Sequence, residues 1–129
     1  MQREITTEQD IRLLVNSFYD KVNGDPSIGF IFNDIAKVDW EKHMPVMYSF
    51  WESVLFGAGR YKGNPMPVHM HLNQKIKLER KHFERWLQLF HATVDELFTG
   101  EKAELAKQRA TSIATVMQIK IIQGGIGLR

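Results

Sequence analysis

Four side chains in this sequence could do chemistry beyond packing: two histidines, a tyrosine and a tryptophan. His69 ends a breaker-rich stretch, Gly63-Asn64-Pro65-Met66-Pro67-Val68-His69. Pro67 suits the start of a short helix, where a missing N–H would be unpaired anyway. His69 then stands in a first turn held by a loop. An imidazole so placed can ligate iron, provided its other N–H finds an acceptor. By spacing alone, a surface loop histidine is the stronger reading. His71 competes with it, but it points about 200° away round a helix, so the two cannot face one metal.

Tyr19 follows Phe18 on the edge of an apolar stripe, so its ring is expected inside and its hydroxyl must find a partner. That partner is either a backbone carbonyl or a bound ligand carrying negative charge, which a preorganised O–H would stabilise. Trp86 poses the same choice, because its indole N–H only donates. His43 lies in Trp40-Glu41-Lys42-His43-Met44-Pro45-Val46-Met47-Tyr48-Ser49-Phe50-Trp51. Pro45 removes one helical hydrogen bond and clashes with the carbonyl of Glu41. The helix therefore begins close to His43 or kinks there, and either outcome could swing His43 toward solvent. Met47, one turn on, would then face the site instead.

The elements that must position these groups read as helices separated by breakers. Thr6 with Gln9 fits a capping box and opens a first helix. Ile11, Leu14, Val15, Phe18 and Val22 follow at helical spacing, and Gly24 and Pro26 end it. Ile28-Gly29-Phe30-Ile31-Phe32 reads as a loop or single turn. Asp39 can cap a second helix carrying Met44, Met47, Phe50, Trp51, Val54 and Leu55. Gly57, Gly59, Gly63, Pro65 and Pro67 make the middle irregular. A third helix is expected from near Leu78 to about Phe98, with Phe83, Trp86, Leu87, Phe90, Val94 and Leu97 inward. Gly100 separates it from a fourth, about Lys102 to Gln123, with Ala106, Ala110, Ile113, Met117 and Ile121 inward. Gly124, Gly125 and Gly127 stop that helix. Periodicity predicts an all-α protein, and the element order suggests helices packed two over two.

At 129 residues the chain is expected to form one domain, 1–129, with a single core. A hydrophobic fraction of 43% and a charged fraction of 25% are those of a globular chain. The net charge of +2 makes no strong case for nucleic acid or an acidic membrane. The absence of cysteine excludes disulfides, thiolate metal sites and cysteine nucleophiles. Met1-Gln2-Arg3-Glu4 does not lead into a signal sequence, and no apolar run approaches transmembrane length. A cytoplasmic protein is expected. The methionines read as core filler. Lys75-Ile76-Lys77-Leu78-Glu79-Arg80-Lys81 reads first as a solvated helix start. His82 and His91 suit surface or packing positions.

Taken in order, Phe18-Tyr19, the Gly29 to Phe32 turn, Phe50-Trp51, Gly63 to Leu72 and Phe83-Glu84-Arg85-Trp86-Leu87-Gln88-Leu89-Phe90 resemble the truncated haemoglobins, most closely their third group. The resemblance runs from about Thr6 to Gly125. Asn73 to Lys81 departs from it, being longer and more basic and lacking a proline. The resemblance implies a two-over-two globin fold enclosing a haem. It selects His69 as the iron ligand, since a Gly-x-Pro stretch precedes it and Leu72 follows three residues later. Tyr19, Trp86 and His43, eight residues before Trp51, become the distal polar set. Phe32, thirteen residues after Tyr19, is implied to pack on the haem, with Met47, Phe50, Tyr61, Met66, Val68 and Leu72. The basic stretch, or Arg60, Tyr61 and Lys62, would pair with the haem carboxylates.

With no C-x-x-C-H, the haem would be noncovalent, of b type. The implied partners are diatomic gases, O2, NO and CO, and cyanide. The implied roles are oxygen binding and retention, or oxygen transport, in a bacterial-type monomer with no nucleic-acid or membrane partner. The alternative is an enzyme of NO dioxygenation or peroxidase-like chemistry. That alternative needs a separate reductase, because the chain has no Rossmann fingerprint or cysteine cluster. A helical interaction domain without haem is the remaining reading.

Overall fold

The computed structural model describes residues 2–35, 37–57 and 78–119. Within them run α1 (Glu8–Asn23), a π-helical segment (Ile31–Ile35), α2 (Trp40–Phe56), α3 (Arg80–Leu97) and α4 (Glu101–Met117). The described residues are all-α apart from one isolated bridge. α1 packs on α2 and α3, and α4 packs on α3 and α2, so the four helices form a closed ring of neighbours.

The capping box of α1 sits one residue later than the sequence suggests. Thr7, not Thr6, is the N-cap, and Asp10, not Gln9, completes the box. The Asp10 amide donates to Thr7 Oγ1 at 3.2 Å, and the Asp10 carboxylate accepts from the Thr7 and Thr6 amides at 3.1 and 2.8 Å. A charged carboxylate with Arg3 beside it accepts these amides more strongly than a glutamine oxygen could. Asp39 does hold the N-cap position of α2, but its side chain makes no capping bond. α2 then runs through Pro45 and stops at Gly57, whose φ of +68° is the left-handed form glycine takes without strain. α3 begins and ends within two residues of expectation. The described part of α4 ends at Met117; Gln123 and the glycines after it lie outside the described residues.

The core is an aromatic stack. Trp51 and Trp86 both lie nearly parallel to Phe90, at 4.8 and 6.0 Å, and Phe18 meets Phe90 edge-on at 5.1 Å. Offset and edge-on arrangements are those the ring quadrupoles favour. α4 answers with a stripe of small residues, Ala103, Ala106, Ala110 and Ala114, all buried. Ala103 and Ala114 join the predicted stripe, whereas Ile113 is only partly buried. At the other end, Arg3 pairs with Phe98 in an isolated bridge, and the Thr99 amide donates to Arg3 O at 2.9 Å. This closes the N-terminus over the α3–α4 corner.

Candidate functional site

All four helices contribute to one cavity of about 970 Å³, counted with its open mouth. Tyr19 comes from α1, and Ile28, Ile31 and Phe32 come from the turn after it. His43, Met47, Phe50 and Trp51 come from α2; Leu78, His82, Phe83 and Trp86 come from α3 and its approach. Ile113, Ala114 and Met117 close the α4 side. A largely apolar cavity with a few convergent polar groups is the usual form of a cofactor site.

Tyr19, Phe32, His43, Met47, Phe50 and Trp86, which the sequence singles out, therefore meet on one wall system. His69, Tyr61, Met66, Val68 and Leu72 lie outside the described residues, as do Arg60, Lys62 and His71.

Pro45 leaves His43 on the cavity wall. His43 does not turn to solvent: its Nε2 lies 3.5 Å from the Tyr19 hydroxyl, and its ring meets Tyr19 edge-on at 5.4 Å. The helix neither starts at His43 nor breaks there. It begins three residues earlier, at Trp40, so that His43 occupies the face directed at α1. Met47 lines the cavity beside His43 and not in its place.

Tyr19 is nearly buried, at 7% exposure. Burial pushes its hydroxyl well above the ordinary tyrosine value, so it remains a neutral O–H donor. At 3.5 Å its contact with His43 is long for a hydrogen bond, and the hydroxyl keeps capacity for a third atom in the cavity.

His82 is the site residue that sequence reasoning missed. It stands one turn before Trp86 on the same face of α3, a spacing that could have flagged it. Its Nδ1 accepts from the Glu79 amide at 3.0 Å, which puts the proton of the neutral ring on Nε2. Desolvation, with Lys81 nearby, holds its pKa below the usual histidine value against the pull of Glu79. His91 has a packing role, with Nε2 3.1 Å from Thr111 Oγ1 across α3 and α4.

One ion pair braces the wall. Arg85, next to Trp86, holds Asp25 at 2.6 Å, while Asp25 also accepts from Ser27. The turn leading to Phe32 is thereby tied to α3. Gly29 lies in that turn, pressed on the end of α1, where a Cβ would meet the Val22 carbonyl at 2.8 Å.

The sequence profile of the bacterial-like globins matches residues 3–121. A group 3 truncated haemoglobin of Campylobacter jejuni is 30% identical over 128 residues, covering 97% of this chain and 98% of that protein. The crystal structure of a group III truncated haemoglobin from Campylobacter jejuni superimposes with a TM-score of 0.80 at 31% identity. That match covers 94% of this chain and 95% of the other. A family profile spanning nearly the whole chain, a relative of equal length and the same fold agree: the chain belongs to the bacterial-like globins, a haem-binding family, among the truncated haemoglobins of the third group.

Proposed function

We propose that the chain, acting as one domain over residues 1–129, holds a noncovalent b-type haem in this cavity and uses it to bind and retain O2. The observation that carries this reading is the pair of Tyr19 hydroxyl and His43 Nε2, 3.5 Å apart on a largely apolar wall. The donor set fits the group: flat apolar faces for a macrocycle, and neutral donors for a small ligand that gains negative charge. When bound, the haem supplies an iron that takes up diatomic gases such as O2, NO and CO.

The chain's own residues do the rest. His69, outside the described residues, would hold the haem iron. Phe32, Met47 and Phe50 offer apolar surface and exclude water, with Tyr61, Met66, Val68 and Leu72 assigned the same task on the segment outside the described residues. Tyr19 keeps its proton because burial forbids the phenolate, and it donates from α1. Trp86, whose indole can only donate, approaches from α3. His43 stands beside Tyr19 and orders the same side of the cavity.

A hydrogen bond to a charged acceptor contributes about 1.5–3 kcal/mol, and a tenfold change in an equilibrium constant takes about 1.4 kcal/mol. Two or three donors therefore slow release well beyond what delivery requires. The same retention favours a redox role, NO dioxygenation or peroxidase-like turnover with a separate reductase, over oxygen transport.

The test is the O2 dissociation rate of the ferrous haem-loaded protein in stopped flow. Wild type should release slowly, and Tyr19→Phe and Trp86→Phe should each release about tenfold faster or more. Unchanged rates in both variants would refute retention by these donors. A wild-type protein with no haem spectrum would refute haem binding itself.

A further inference from the structure

Trp40 does not line the cavity, yet it touches every polar or aromatic group on that corner of it. Its ring lies 5.3 Å from Tyr19, 5.5 Å from His43 and 6.2 Å from Phe32, edge-on to the imidazole at 78° and nearly parallel to Phe32. Its position is set from behind. Trp40 Nε1 donates to Asn33 Oδ1 at 3.0 Å. Asn33 Nδ2 in turn donates to Asn23 Oδ1 at 2.9 Å and to the Gly29 carbonyl at 3.1 Å. The indole is thus moored to the last residue of α1 and to the turn that carries Phe32.

This mooring adds to the backbone of the first turn of α2, where the Lys42 and His43 amides donate to the Asp39 carbonyl at 3.1 and 2.9 Å. Asp39 supplies no side-chain cap, and Pro45 lacks the amide that would bond the Glu41 carbonyl. A first turn without a side-chain cap is open to fraying, which would carry His43 outward. His43 nevertheless points inward, three residues from Trp40 and therefore beside it on the helix surface.

We infer that Trp40 is the positioning residue of the cavity's polar pair: moored by Asn33, its indole wedges behind Tyr19 and His43 and holds the imidazole in its inward pose. This rests on the reading of the cavity as a gas-binding site and adds what controls access to it. With the indole moored, His43 stands between solvent and the cavity on this side. With the mooring cut, the first turn of α2 loosens and a small apolar ligand passes more freely.

Two substitutions outside the cavity wall cut the same bond from opposite ends. Trp40→Phe keeps a ring and removes the N–H; Asn33→Ala removes the acceptor. In both, the nuclear Overhauser contact between the Tyr19 and His43 rings should weaken, and CO association after flash photolysis should accelerate by about tenfold, the factor a net hydrogen bond corresponds to. The double variant should be no faster than the faster single, since the bond between the indole and Asn33 can be lost only once. Unchanged ring contacts and unchanged association in both variants would overturn the inference. So would a lowered melting temperature with the ring contact intact, which is what a purely structural tryptophan gives. If Trp40→Phe does not fold, Asn33→Ala decides alone. A wild type that takes up no haem sinks the gas-binding reading, and the Tyr19–His43 contact in the haem-free protein still decides the role of Trp40.

Discussion

Tyr19 and His82 show how burial sets the chemistry of a single side chain. For Tyr19 the charged form is the phenolate, so desolvation raises the pKa and preserves a donor. For His82 the charged form is the imidazolium, so desolvation lowers the pKa and keeps the ring neutral. The folded state therefore binds fewer protons at His82 than the unfolded chain does below the ordinary histidine value. Its contribution disfavours folding as pH falls through and below that value. An NMR titration of His82 in the haem-free protein should give a midpoint below about 6.5, the unperturbed value. A midpoint at or above it would mean that the ring is not desolvated by the cavity wall. Tyr19 was legible in the sequence because it abuts an apolar stripe. His82 was not, because a histidine amid Arg80, Lys81 and Glu84 looks like part of a solvated helix start.

Among the elements, the turn between α1 and α2 decides most about the site. It must bring Phe32 to the cavity within a few residues of the end of α1, and Gly29 permits the close approach. A methyl group there would stand 2.8 Å from the Val22 carbonyl and 3.1 Å from that of Asn23, both rigid backbone. Gly29→Ala should therefore destabilise by about 1–3 kcal/mol in urea denaturation, the usual cost of overpacking. Gly24→Ala is the control: its added carbon meets the Asp20 carbonyl at an ordinary 3.5 Å and should cost little. Equal effects of the two substitutions would refute the close-approach argument. Pro45 is the opposite case. Its local rule is broken, and tertiary contacts at Trp40 override it.

For the whole molecule, two buried carboxylates tie the chain together, Asp25 to α3 through Arg85 and Asp10 to the N-terminal segment through Arg3. Asp25 is held below the usual carboxylate range chiefly by the Ser27 hydrogen bond, against burial, with Arg85 adding to it. At Asp10 burial works to raise the pKa, but the Thr6 and Thr7 amides and the Arg3 charge outweigh it. Both groups are thus more acidic folded than unfolded. Their stabilisation is fully present above the unfolded value of about 3.9 and is lost as pH falls through the lower folded values. Denaturation midpoints should fall steeply below about pH 4. Asp25→Asn should lower stability near neutrality by about 1.5–3 kcal/mol and flatten that acid limb. An acid limb as steep as wild type in Asp25→Asn would refute the role of this pair.

The sequence by itself determined the helices and, through the family resemblance, named six residues that line the cavity: Tyr19, Phe32, His43, Met47, Phe50 and Trp86. Helical period, breakers and the ordered motifs are local properties, written in residues a few positions apart. Phe18-Tyr19, Phe50-Trp51 and the Phe83 to Phe90 segment all carry them. On α4, alanine spacing announced Ala106 and Ala110. Only the tertiary structure decided which way His43 faces and that His82 joins the wall. Each depends on a partner the local pattern does not contain. Trp40 is moored by Asn33 across a turn, and His82 meets a cavity built by other helices. A rotamer or a protonation state is set by the field and packing of such distant neighbours, so it takes shape only when the chain has closed around it.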